Sequence, residues 1–188
     1  MQRTDDGLPA WYAVGPCTLP TMSSLAELTE RLEAVGAAFA ALRPEMERHG
    51  RWPMADVFGT EPEASWGPPE VLAHAAEMLP YWLGEIERIL DGPGDAASPF
   101  GRVADDPVRI GIIGRDRTIP IRELVARIEA DTRRVAVRLR SLSEAEAARR
   151  GHHPRLGEMD VAAILERFLV TNAEDHVIQL REILAAAG

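Results

Sequence analysis

Residues 167–180 read RFLVTNAEDHVIQL. The apolar stripe leading into them, Val161, Ile164, Leu165 and Phe168, recurs at helical spacing. Its next steps are polar: Asn172, His176 and Gln179 stand there before the stripe returns at Ile183. A helix advances about 100° per residue, so Asn172 and His176 lie about 40° apart on one face. Asp175 is within about 60° of Asn172, at the edge of that face. Glu174 falls on nearly the opposite side, toward water.

The same feature recurs upstream. In PPEVLAHAAEMLPYWLGEIERILDG, His74 comes three residues after Val71 and four before Met78, again on an apolar stripe. That segment predicts a helix over 67–91. Its prolines occupy the first turn, where the N–H groups have no intrahelical partner, and Pro80 predicts a bend. A helix over 24–48 opens with a capping box, Ser24 and Glu27, and carries Leu25, Leu28, Leu32, Val35, Phe39 and Leu42 on one face. Pro44 is expected to end or kink it. A third helix over 120–142 shows Leu124, Ile128, Val135 and Leu139, and a fourth runs over 159–187.

Between the second and third helices, residues 92–119 contain Pro93, Pro99 and Pro107. A connection this long fits a compact domain when it crosses the length of a bundle. VRIGIIG within it could form a short strand but has no convincing partner. Ser143 and Glu146 make a second capping box, opening a short helix that Gly151 would close, and HHPRLGEMD reads as a turn-rich link. The expected class is all-α: a four-helix bundle over residues 23–188 with a long crossover between helices two and three. Residues 1–22 form an N-terminal arm that Trp11 and Tyr12 could pin to the domain.

Composition narrows the function. All 21 basic residues are Arg, against 30 Asp and Glu, for a formal charge of −9. No basic footprint for nucleic acid results. The apolar runs are too short to span a bilayer, and no charged-then-apolar leader opens the chain, which predicts a cytoplasmic protein. The single cysteine, Cys17, excludes an intrachain disulfide and reads as an incidental thiol. His49 reads as a cap or a solvated side chain, and His152 and His153 as turn residues or residues at the mouth of the bundle. Trp52, Trp66 and Trp82 read as core and rim packing.

Buried polar groups cost a few kcal/mol, about 1–3 each, unless satisfied. Two arrangements satisfy His74, Asn172 and His176. One is a hydrogen-bonded cluster with a water, the plainer reading of the residue pattern alone. The other is a shared Zn²⁺ or Ni²⁺ ion, since neutral imidazole and an amide oxygen both ligate such metals.

SWGPPEVLAHAAEMLPYW and HPRLGEMDVAAILERFLVTNAEDHVIQLREIL resemble two motifs of the DinB-like superfamily of four-helix bundles, over about residues 24–184. Its relatives include thiol-dependent S-transferases and mycothiol-dependent maleylpyruvate isomerases. The resemblance implies a divalent metal held by His74, position 172 and His176. Position 172 is usually His, or Glu in the isomerase branch, and here it is Asn. The resemblance further implies an open coordination position for a low-molecular-weight thiol that attacks an electrophile, with Asp175 or Gln179 orienting the ligands, and a homodimer. The alternative it leaves open is a metal-free descendant that binds a small ligand or a partner in the same pocket.

Overall fold

The computed structural model describes residues 23–56, 62–94 and 96–188. The N-terminal arm with Trp11, Tyr12 and Cys17 lies outside them.

The protein is mostly helical. Helix α1, Leu25–Arg48, starts at Ser24, whose hydroxyl accepts the Glu27 N–H while the Glu27 carboxylate accepts the Ser24 N–H. It continues through Pro44 to Arg48 rather than stopping there. A single turn, α2, spans Pro62–Ser65, and α3 spans Pro68–Asp91, running through Pro80. Helix α4, Pro107–Asp116, is followed by α5, Ile121–Ser141, and the short α6, Glu144–Ala147. The last helical stretch has three parts: α7, Val161–Ile164, a π-helical segment, Leu165–Thr171, and α8, Asn172–Ala187.

The long helices contact one another in the order α1–α5–α3–α8 and back to α1. Leu28, Leu32, Phe39, Ile86, Leu124, Ile128 and Leu180 are fully buried between them. Each such side chain contributes about 1.5–3 kcal/mol of burial. Where α1 meets α5, Gly36 faces Thr132, and no side chain longer than hydrogen fits. The first three turns of α3 are buried on every side, from Pro68 to Leu79. α4 covers part of that length, so a helix with no solvated face supplies the floor on which His74 stands.

Two segments of the connections take definite form. VRIGIIG is helical: Asp106 caps α4 by accepting the N–H groups of Val108 and Arg109, and Pro107 takes the first turn. The turn-rich link is a hairpin, β2, Arg150–His153, paired antiparallel with β3, Gly157–Asp160. A two-residue strand, β1, Ser98–Pro99, pairs parallel with β2, completing a three-stranded sheet. Gly157 turns the hairpin at a φ of 75°. The sheet edge pins the start of the α3–α4 connection near the cavity described next. Among the described residues, no helix is long and apolar enough to cross a membrane.

Candidate functional site

His74 reaches its place because α3 is anchored at its first turn. Buried Glu70 accepts the N–H groups of Gly67 and Ala55 and pairs with Arg117 at 3.1 Å. One carboxylate thus ties the loop before α3, the helix start and the end of α4 together. One turn later His74 is 4% exposed. Its Nδ1 is buried without a hydrogen-bond partner, with the Glu77 carboxylate 4.0 Å away.

His176 faces it from α8. The ring centroids are 4.8 Å apart and the planes are nearly perpendicular, at 85°. Gln179 fixes the His176 tautomer. Its Nε2 donates to the Glu63 carbonyl at 2.7 Å, so its Oε1 must be the group that meets His176 Nδ1 at 3.0 Å. His176 Nδ1 therefore carries the proton, and Nε2 keeps its lone pair. Burial pushes both imidazoles below their ordinary pKa, His74 well below, with the Arg109 charge adding to the shift at each. Both rings are neutral at neutral pH.

Asn172 is half-buried at the start of α8, and its Oδ1 is buried with no partner. With His74 it lines a cavity of about 30 Å³, together with Trp82, Phe168, Arg102 and Arg109. The π-helical segment just before Asn172 sets Phe168 in this wall. There Phe168 stacks on Trp82 at 4.4 Å and on His153 at 5.4 Å. A π turn holds an extra residue per turn and is common at functional sites. Asp175 is exposed and stays out of the cavity.

So the structure brings together His74, Asn172, His176 and Gln179, and leaves Asp175 outside. Among the described residues no group of three His, Cys, Asp or Glu is gathered for a metal. His49 caps α1 beside Trp52, His152 is exposed, and His153 is fully buried at the end of β2.

The sequence reading missed Arg102 and Arg109. Both are nearly buried. Arg102 pairs with Glu77 and lies 3.7 Å over the Tyr81 ring. Arg109 pairs with Glu63 and donates to the Ala104 carbonyl at 2.9 Å. No periodicity marks them, because they sit in an irregular connection and at a helix start. The chain matches no protein-family model and no curated protein.

Proposed function

We propose that this chain is a metal-dependent enzyme of the DinB-like type, a four-helix bundle that holds a divalent cation with His74, His176 and Asn172. The observation that carries the reading is the pair of neutral, buried imidazoles with centroids 4.8 Å apart beside the unpartnered Asn172 oxygen. A first-row ion sits about 2 Å from each imidazole nitrogen and about 1 Å farther from each ring centre, so two ligand rings have centroids about 4.5–5 Å apart. The donors suit Zn²⁺ or Ni²⁺, which take neutral imidazole and amide oxygen. Gln179 keeps the His176 proton on Nδ1 and so keeps the Nε2 lone pair available, the role of an outer hydrogen-bond partner.

When bound, the cation would lower the pKa of a small thiol and keep it as thiolate at neutral pH. Trp82 and Phe168 wall the site with apolar surface, which limits water around a nucleophile. The reaction class that follows is thiol transfer or conjugation onto an electrophile, or a thiol-dependent isomerisation, with mycothiol as the candidate thiol. A cytoplasmic homodimer completes the reading, and sedimentation velocity tests the dimer. A second reading has an observation of its own: every protein donor is neutral and two guanidinium groups stand in the wall, which also suits a metal-free pocket for a small ligand.

Calorimetry on protein purified without a polyhistidine tag tests the metal. Zn²⁺ and Ni²⁺ should bind Asn172→His most tightly, the wild type less tightly and His176→Ala least. If none of the three binds, the cluster is a hydrogen-bond network and the enzyme reading falls. A metal-loaded sample should then accelerate loss of mycothiol in the presence of an electrophile, and His176→Ala should not.

A further inference from the structure

Two basic side chains reach the cavity wall, each paired with a carboxylate, and one of those carboxylates, Glu77, also stands 4.0 Å from His74 Nδ1. Arg102 and Arg109 belong to the lining, and no carboxylate does. Their partners Glu77 and Glu63 engage them from outside the lining. Both hydrogen bonds to Glu77 leave from Nη2 of Arg102, so the Nε–H and Nη1 protons of that fork are not spent on Glu77. The α4 N-terminus adds nothing here, because Asp106 takes the Val108 and Arg109 N–H groups.

We propose that this cavity binds a small carboxylate, recognised by Arg102 and Arg109 beside His74 and Asn172. Size selects the ligand. A space of 30 Å³ holds about two water molecules, the scale of formate or acetate, since one water needs about 10–15 Å³ of such volume. Shape agrees, because a planar guanidinium fork matches a planar carboxylate. The polar neighbours are suited to an anion as well. The Asn172 amide can offer N–H groups, and a neutral His74 carries one ring proton.

A consequence rests on the metal reading above. His74, His176 and Asn172 bring no negative charge, and Glu77 and Glu63 are already engaged by Arg102 and Arg109, so a divalent cation would add two positive charges that its ligands do not offset. A carboxylate offsets that charge. Anion and metal then bind with positive coupling, and the coupling is reciprocal.

The test starts with tag-free protein stripped by EDTA and titrated with acetate. Fluorescence of Trp82, which lines the cavity, and of Trp66, 5.6 Å from His74, reports binding. Acetamide, neutral and nearly the same shape, is the control. Acetate should saturate and acetamide should give no signal. The double variant Arg102→Gln with Glu77→Gln removes the recognising charge without stranding its partner, and should weaken acetate at least tenfold. No saturation with acetate, equal binding of acetamide, or unchanged affinity in the double variant would each overturn the proposal. The wild-type comparison decides the matter even if the double variant does not fold. Zn²⁺ affinity, measured with and without saturating acetate, should rise at least tenfold with it. If acetate binds and Zn²⁺ binds in neither condition, the metal reading fails and the anion site stands. If Zn²⁺ binds and acetate does not, the anion site alone is lost.

Discussion

His153 offers the most exposed test of the physical reasoning, through acid. It is fully buried at the end of β2, stacked at 5.4 Å on Phe168 and set 5.4 Å from Phe100. Its Nδ1 accepts the N–H groups of Arg155 and Leu156 at 3.2 and 3.3 Å. The neutral ring therefore carries its proton on Nε2, which faces the Arg102 backbone without reaching hydrogen-bond geometry. Protonation would set an N–H against two backbone donors inside an apolar stack. Burial lowers its pKa below the ordinary value, so the unfolded chain binds a proton that the folded chain refuses. Stability from this group is complete above about pH 6.5 and is lost as pH falls, by about 1.4 kcal/mol per unit until the folded pKa is reached. His74 and His176 slope the same way, so a variant must isolate His153. His153→Asn keeps an oxygen able to accept from the Arg155 N–H as an Asx turn, but deletes the stacked ring and should cost about 2–3 kcal/mol at pH 7. Below pH 6.5 that deficit should shrink by about 1.4 kcal/mol per unit. Urea unfolding of both proteins from pH 7.5 to 5.5, with EDTA present, measures it. The window lies above the titration of Glu146, whose carboxyl is held down at about 2 by the Ser143 N–H. Two parallel stability curves would refute the argument.

Gln179→Leu should free the His176 tautomer and weaken Zn²⁺ binding by about 10–100-fold, with the fold retained, as read by calorimetry and circular dichroism. Gly36→Ala gains about 1 kcal/mol of helix propensity. Its Cβ would lie 2.7 Å from Thr132 Oγ1, and overpacking of about 1–3 kcal/mol should win, lowering the thermal midpoint. Gly101→Ala should be worse. Its φ is 83° and a Cβ would meet His153 Cδ2 at 2.4 Å, so at least about 2 kcal/mol should be lost in denaturant unfolding. Asn172→Leu should raise stability by about 1–2 kcal/mol, because it removes a buried acceptor without a partner, and should abolish both acetate and Zn²⁺ binding.

What the sequence showed and hid divides along the length of each signal. Helices of twenty or more residues announce themselves through repeated stripes, and α1, α3 and α5 begin and end within two residues of the positions read. Capping boxes at Ser24 and Ser143 formed because each needs only a local pair. The convergence of His74 and His176 was legible because both broke an apolar stripe at a helical step. The hairpin was not, since strands of four residues carry no period. The π segment escaped too. It inserts one residue into a stripe whose polar content already looked like the anomaly. α4 had a readable start, Asp106 before Pro107, that the search for a strand partner passed over. The arginines of the cavity wall are the deeper miss. Their burial depends on Glu63 and Glu77, far away in sequence, and only tertiary structure pairs them.

That pairing bears on why the cavity exists at all. A buried ion pair contributes little net stability compared with apolar residues of the same volume. Here two such pairs, Arg102–Glu77 and Arg109–Glu63, stand beside a space of about 30 Å³. His74 Nδ1 and Asn172 Oδ1 add two buried groups without partners, at about 1–3 kcal/mol each. Elsewhere the helices are packed with fully buried Leu, Ile and Phe. Two further buried atoms without partners, Trp66 Nε1 and His153 Nε2, belong to rings beside His74 and Phe168, the clustering expected where a site recovers its cost on binding. A ligand that satisfied both orphaned atoms would return about 2–6 kcal/mol of that cost; a cation can do so at both, whereas a carboxylate, an acceptor only, can answer a His74 N–H but not the Asn172 oxygen.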